Sequence, residues 1–373
     1  MKICVCAPTA NVYSETFIRG HIRRLPADVV LYGDPPYTMR NGRPLVPVPI
    51  RSLIARAGRR YMSRIGSQAI RIADHRIASV LKRLGIGVVL AEYGPTAVSF
   101  LPACRSAGVR LVVHFHGADL SRSDILETYR SEYKTLFAEA AAMIVVSAAM
   151  KRRLEEMAGP SERIFLIHYG VEGDFFRAVN AAANPPTFVA VGRFVDKKAP
   201  HLTLLAFRQA VEECPESSLV MVGDGPLLPA CQELARALGL EGRVLFTGIL
   251  EPARVVELFG RARAFVQHSV TAPSGDSEGT PVAVLEAGAS ALPVIATRHA
   301  GIPDVVIDGQ TGLLTDEFDL SGMAHHMIRL AKDPDLAGRL GQCARQRVTA
   351  HFSSEKAIGQ LRDALAWAAG KTP

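Results

Sequence analysis

Two glutamates, Glu278 and Glu286, stand in the run Gly275-Asp276-Ser277-Glu278-Gly279-Thr280-Pro281-Val282-Ala283-Val284-Leu285-Glu286-Ala287-Gly288. Gly279 and Pro281 predict that a helix begins there, with proline in its first turn. Glu278 then stands in the loop before the helix N-terminus, and Glu286 about one turn inside it. The N–H groups of such an N-terminus form an anion site. Glu286 lies in a small, apolar run, where an ionised carboxylate is costly without hydrogen-bond partners. A ligand rich in hydroxyls would supply partners to both carboxylates. A capping glutamate followed by a half-exposed one would leave the same sequence.

Two further segments could hold an anion. In Gly192-Arg193-Phe194-Val195-Asp196-Lys197-Lys198, Arg193 offers a fork suited to phosphate oxygens and Lys198 a point charge. An exposed charged loop is the plainer alternative. Met221-Val222-Gly223-Asp224-Gly225-Pro226 reads either as a tight strand-to-helix turn or as a backbone approach to a ligand.

The elements that must position these groups are short apolar strands alternating with helices. In the first half strands are predicted at Lys2–Pro8, Val29–Tyr32, Gly87–Ala91, Leu111–Phe115 and Met143–Val146, with a proline-punctuated edge or irregular run at Leu45–Ile50. Helices are predicted over Glu15–Leu25 and over a long arginine-rich stretch, Arg51–Leu84. The Ala/Asn/Pro stretch Ala178–Pro186 reads as a linker and hinge. The pattern then restarts at Phe188–Val191, Ser218–Val222, Val244–Phe246, Ala264–Val266 and Pro293–Ala296. Continuous apolar strands predict parallel sheets covered on both faces. The fold class is therefore α/β, with two doubly wound halves. In such sheets ligands bind beyond the carboxyl ends of the strands, which is where the charged segments fall.

Composition narrows the classes. The 373 residues exceed what one core usually organises. Hydrophobic residues make up 48%, so the chain should fold. Six cysteines, with no metal-type pair of pairs, read as buried thiols in a reducing compartment. The first strand starts at the N-terminus without an apolar leader, and no run is long enough to span a bilayer, so a cytoplasmic location is expected. Residues 1–170 carry 24 Lys+Arg against 13 Asp+Glu, a surplus of +11, while the remainder is at −4. That asymmetry predicts an anionic partner for the first half. With 6% aromatic residues and no aromatic-basic interleaving, nucleic acid is not expected. Residues 51–83 carry nine Lys/Arg and one acid, Asp74, among Leu53, Ile54, Ile65, Ile70, Ile72, Ile77, Val80 and Leu81. This basic amphipathic pattern predicts docking on an anionic membrane surface. A solvated outer helix face is the alternative.

In order and spacing these motifs resemble the retaining GT-B glycosyltransferases of family four, the group 1 glycosyltransferases of exopolysaccharide type. The family's Glu-x7-Glu motif matches Glu278 and Glu286, and its phosphate segment matches Gly192-Arg193 through Lys198. Also matched are Gly223-Asp224-Gly225-Pro226, Val244-Leu245-Phe246-Thr247-Gly248, Pro293-Val294-Ile295-Ala296-Thr297 and Gly309-Gln310-Thr311-Gly312-Leu313-Leu314. The first half matches more loosely, at Ser14-Glu15-Thr16-Phe17-Ile18, His116-Gly117-Ala118-Asp119, Val146-Ser147 and Tyr169-Gly170-Val171. The chain departs from the family at Pro8–Ser14, Tyr169 and Ala199.

The resemblance implies a GT-B fold of two Rossmann-like domains facing a cleft. Residues 1–177, with a crossover helix at about 355–370, would bind the acceptor, and residues 187–352 the nucleotide sugar. Arg193 and Lys198 would hold the diphosphate, Glu286 the ribose and Glu278 the sugar. Gly248 and Ile249 would meet the base, with Gly223, Gly279, Thr280 and Pro281 lining the donor site. His116 would face the cleft and orient the reacting sugar, with Ser14, Thr16 and Asp119 on the acceptor side. A hexose would move with retention to a glycan or lipid-linked acceptor in polysaccharide assembly. The chain shows no Asp-x-Asp metal pair, so neither metal nor cofactor is expected. An epimerase or phosphorylase of the same architecture, or a silent sugar-nucleotide-binding subunit, are the other readings. A Rossmann dehydrogenase is disfavoured because no Gly-x-Gly-x-x-Gly follows the first strand.

Overall fold

The computed structural model describes residues 1–8, 16–33, 38–39, 64–173 and 176–370. The first half builds a seven-stranded sheet in the order β3-β2-β1-β4-β5-β6-β7. Its strands are β1 Lys2–Ala7, β2 Ala27–Tyr32, β3 Thr38–Met39, β4 Ile86–Glu92, β5 Arg110–His114, β6 Ala142–Val145 and β7 Ile164–Leu166. All pair in parallel except β3, which runs antiparallel to β2. The second half builds a six-stranded parallel sheet in the order β10-β9-β8-β11-β12-β13. Its strands are β8 Thr187–Val191, β9 Ser218–Val222, β10 Val244–Gly248, β11 Ala264–Gln267, β12 Val294–Thr297 and β13 Gly312–Thr315. In each half the strand order reverses beside the first strand, which opens a crevice at the strands' carboxyl ends.

The apolar runs are explained by two covered faces. In β4 alternate residues enter different cores: Val89 and Ala91 join Ile77, Leu81 and Phe100, while Val88 and Leu90 join Val112, Ile144, Leu361 and Leu365. The second of these cores contains the last helix, Ser354–Ala368, laid across the first sheet through Ile358, Leu361, Ala364, Leu365 and Ala368. The chain thus returns to its first half at its end.

The crossing between halves differs from the predicted hinge at Ala178–Pro186. Val171 and Ser353 form a parallel bridge, with the Val171 N–H on Phe352 O at 2.9 Å and the Ser354 N–H on Val171 O at 3.0 Å. The two crossings therefore run side by side. The Ala178–Pro186 stretch is instead tied to the second half: Val179 N–H donates to Ser290 O at 2.9 Å, and Asn184 Nδ2 to Ala262 O at 2.7 Å. The stretch lacks periodicity because its polar groups bond to helix ends, and it is not a free tether.

The basic helix is also more ordinary than its composition suggested. Leu45–Ile50 and residues 51–63 lie outside the described residues. The described helix, Arg64–Leu84, buries Ala73, Ile77, Ala78 and Leu81 against the first sheet and the helix Gly94–Ala107. Ile77 and Leu81 are therefore core residues, and they cannot enter a bilayer while the fold is intact. Arg71, Arg76, Lys82 and Arg83 line the exposed side, with Ile72 the exposed large apolar residue among them. No described helix is long and apolar enough to cross a membrane. Five of the six cysteines are buried free thiols, as their apolar surroundings predicted, and Cys343 is exposed.

Candidate functional site

The turn after β8 holds the first cations. Arg193 is exposed, while Lys198 ends a short 3-10 turn, Asp196–Lys198, before the helix Pro200–Glu213. The turn after β9 packs against it: Gly223 sits at φ +132°, and a Cβ there would collide with the Gly192 carbonyl. Only glycine lets the two loops lie this close. The Gly223 N–H donates to Gly248 O at 2.8 Å, so the third strand end joins the same cluster. Beside it Ile249 is 53% exposed, an open apolar surface at the edge of the crevice.

Lys198 Nζ reaches Glu278 Oε1 at 3.1 Å, with both side chains largely buried. Burial pulls the ammonium down from its ordinary value against the Glu278 charge. Burial alone would raise the Glu278 carboxyl, but Lys198 and Lys197 outweigh it and hold the pKa at about 2. Glu278 is therefore a permanent acceptor. Ser269 Oγ donates to it at 3.4 Å. The preceding loop is pinned by Lys197, whose Nζ donates to Asp276 Oδ1 at 3.0 Å and to Ser277 O at 3.2 Å. The Glu278 N–H donates to His299 Nε2 at 3.1 Å.

The helix begins later than predicted, at Val282, with Pro281 at its N-cap. Glu286 is then its fifth residue and sits partly buried among small and apolar neighbours. Its carboxylate has no hydrogen-bond partner among the described residues, and burial pushes its pKa up to about 7. Donors from a bound ligand would stabilise a carboxylate in this position. Thr280 is 3% exposed and its hydroxyl donates to Val146 O in the first half, so its side chain is turned away from a donor. Gly279 has no room for a side chain: a Cβ would lie 2.7 Å from Val146 and 2.8 Å from His116 O.

On the first half two of the expected acceptor-side residues, His116 and Asp119, fall beneath the surface. Asp119 is 1% exposed. Its carboxylate accepts the N–H groups of Gly94 at 3.0 Å, His116 at 2.9 Å and Gly117 at 3.1 Å. It shapes the loop after β5 and leaves no oxygen for an acceptor. His116 also departs from its expected cleft-facing role. Its Nε2 meets Glu92 Oε2 at 2.7 Å and its Nδ1 meets Tyr169 Oη at 2.6 Å. Burial and the neighbouring His114 push the ring down to about 3, so it is neutral. Nε2 must then donate to the carboxylate and Nδ1 accept from the tyrosine. Glu92 ends β4 fully buried and also bonds His21 at 2.8 Å. Phe17 stacks on Tyr169 with centroids 4.4 Å apart. Thr16 opens the helix Thr16–Arg24, and Ser14 lies outside the described residues.

The two halves meet along the crevice. Ser277 N–H donates to Ser121 Oγ at 3.2 Å and Ser123 N–H to Ser274 O at 2.8 Å. Ala148 N–H donates to Asp304 Oδ2 at 2.7 Å. The Glu278 loop is thus covered by the loops after β5 and β6. Sequence reasoning missed Glu92, Lys197, His299 and Glu317. The available signal was position: Glu92 and His299 are polar residues at or just past strand ends. One Asp-x-Asp spacing, Asp333-Pro334-Asp335, does occur, but it starts the helix Pro334–His351, where Asp333 Oδ1 caps the Leu336 N–H at 2.9 Å.

Comparison with known proteins agrees with this architecture. Residues 11–175 match the model of Glycosyltransferase Family 4, and residues 172–347 that of Glycosyl transferases group 1. The putative colanic acid biosynthesis glycosyltransferase WcaL of Escherichia coli K12 is 32% identical over 284 residues, 74% of this chain and 70% of that protein. The amylovoran biosynthesis glycosyltransferase AmsK of Erwinia amylovora is 29% identical over 313 residues, 82% and 76% of the two chains. The solved structure of Anabaena HepE with UDP-glucose superposes with a TM-score of 0.77 at 18% identity, covering 98% of this chain and all of that one. The two-sheet architecture is that of the GT-B fold, and the chain belongs to glycosyltransferase family 4, the group 1 glycosyltransferases.

Proposed function

We propose that this glycosyltransferase moves a hexose from a nucleoside-diphosphate sugar to a glycan or lipid-linked acceptor in polysaccharide biosynthesis, with retention at the anomeric carbon. The observation that carries the reading is the crevice at the ends of β8, β9 and β10. There a buried Lys198–Glu278 pair stands near an exposed Arg193, and the Glu286 carboxylate has no hydrogen-bond partner among the described residues. WcaL and AmsK are named for exopolysaccharide synthesis, and the HepE structure holds UDP-glucose.

In this reading Arg193 and Lys198 take the diphosphate, and Glu286 accepts the ribose hydroxyls. Glu278 accepts a sugar hydroxyl, and the base lies on Gly248 and Ile249. The bond from C1 to the β-phosphate oxygen breaks as the acceptor oxygen bonds C1 from the same face. The acceptor's proton passes to the departing phosphate. Charge on that leaving group is stabilised by cations already in place. Tight contact between the halves limits hydrolysis by excluding water. His116 contributes through its backbone, which seats Gly279. The acceptor docks on the first half, and the exposed basic face of Arg64–Leu84 lies against the cytoplasmic face of an anionic membrane.

The test is a panel of UDP-, GDP- and dTDP-hexoses scored by thermal shift, followed by transfer to a lipid-diphosphate glycan. One nucleotide hexose should stabilise the protein and be consumed only with acceptor present. Release of an epimerised nucleotide sugar, or binding without turnover for every acceptor, would favour the epimerase or the silent subunit.

A further inference from the structure

The Glu278 loop is held from a direction that the donor reading above does not use. Its N–H donates to His299 Nε2, and His299 Nδ1 lies 2.6 Å from Glu317 Oε1. Because Nε2 accepts from an amide, it carries no proton, so the imidazole proton is on Nδ1 and points at the carboxylate. The other Glu317 oxygen accepts the Thr271 N–H at 2.7 Å. Burial would raise the Glu317 carboxyl, but the Thr271 N–H and His299 hold it below its ordinary value, in the charged form this chain of bonds requires. His299 is itself 1% exposed. Thr271 begins the loop that runs to Gly275 and covers the crevice, where Ser274 O takes the Ser123 N–H from the first half. One carboxylate thus ties the loop before Glu278, the strand end after β12 and the wall of the cleft into one unit.

We infer that His299 and Glu317 are positioning residues that aim Glu278 at the donor's sugar. The inference rests on the reading of Glu278 as the group that accepts a sugar hydroxyl. Neither residue needs to touch the substrate. His299 fixes the amide of Glu278, and Glu317 fixes the tautomer that lets His299 accept it. A second-tier hydrogen bond of this kind sets the geometry of the residue in contact, and an error near 1 Å there is costly to catalysis. The pair should therefore govern the sugar and not the nucleotide.

The experiment measures affinity of the full chain for the nucleotide sugar and for the matching nucleoside diphosphate, together with kcat and KM, in Glu278→Ala, His299→Ala, His299→Gln, Glu317→Ala and Glu317→Gln. His299→Ala and Glu317→Ala should lower kcat/KM about tenfold or more, as expected when a buried partner is removed. Nucleoside diphosphate affinity should stay within about twofold, in parallel with Glu278→Ala. His299→Gln places an amide oxygen near the Nε2 position and should recover most of the loss. Glu317→Gln turns an NH2 toward one of two donors and should not. Equal weakening of both ligands, or Gln no better than Ala at 299, would mean that the pair merely supports the fold. If Glu278→Ala spares the sugar-dependent part, the donor reading itself fails. If Glu278→Ala removes it while the other variants keep it, only the positioning role fails.

Discussion

At the residue scale the site depends on how burial treats three charges. Lys198 and Glu278 face each other at 3.1 Å and stabilise one another's charged forms, whereas Glu286 has no such partner among the described residues. In the proposed donor pose, removing Lys198 takes a cation from the diphosphate, and it leaves Glu278 without its ion-pair partner. Lys198→Ala and Glu286→Ala are each expected to cut transfer at least about a hundredfold, the loss of a charge-assisted contact of roughly 2–3 kcal/mol. Circular dichroism should show both variants folded; turnover at the wild-type rate would mean that the donor sits elsewhere. Glu286 also sets a pH dependence. Its folded pKa, about 7, lies above its ordinary value because of burial, so its contribution to apo stability is present in acid and lost as pH rises through 7. In the proposed pose ribose hydroxyls donate to the charged form, so donor binding would pull that pKa back down. Affinity measured by calorimetry should hold above pH 7 and weaken by up to about tenfold per unit below it. Glu286→Gln should show no such slope, and a slope that survives the substitution would assign it to another group. These carboxylates were legible in sequence because a charged residue in an apolar run has few explanations. His116 and Asp119 were legible as important, but their orientation was not. A loop sequence does not reveal that three backbone N–H groups converge on one aspartate, or that Glu92 lies behind the histidine.

At the element scale most strands could be read from apolar runs, whereas their order in each sheet came from the structure. β3 and β7, of two and three residues, were missed because so short a run carries no usable period, and β13 was read only as part of the Gly309–Leu314 motif. The final helix was foreseen at about 355–370, and its packing gives it a definite energy. Leu361 and Leu365 are 1% and 0% exposed beneath the first sheet. Leu361→Ala or Leu365→Ala should each destabilise the protein by about 2–5 kcal/mol, read as a lower midpoint in urea. Because the helix belongs to the second half by sequence and to the first by packing, donor affinity at low temperature should change little. A loss of donor affinity matching the loss of stability would show that the two halves depend on each other more closely.

At the scale of the whole molecule residues 1–170 carry a surplus of +11, while Ile77 and Leu81, two of the apolar residues expected to accompany it onto a membrane, are buried in the core. In the attachment proposed above, the exposed basic residues of this helix would therefore act chiefly through charge. Each basic residue near an anionic surface contributes about 1 kcal/mol, and salt weakens it. The protein should co-sediment with phosphatidylserine-rich vesicles in low salt and be released in high salt. Arg71→Glu, Arg76→Glu and Lys82→Glu together should abolish binding without altering the donor's Kd. Binding indifferent to salt and to these charges would rule out the proposed surface.

The central claim is retaining transfer from a donor seated between Lys198, Glu278 and Glu286, and the most direct measurement is the anomeric configuration of the first product. Proton NMR during turnover, with the nucleotide hexose and acceptor identified by the panel, reads the C1–H coupling and shift before any mutarotation. The account predicts a new glycosidic bond with the same configuration as the donor's, formed by the wild type and lost in Glu286→Ala. An inverted product, or a retained one formed equally well by Glu286→Ala, would contradict it.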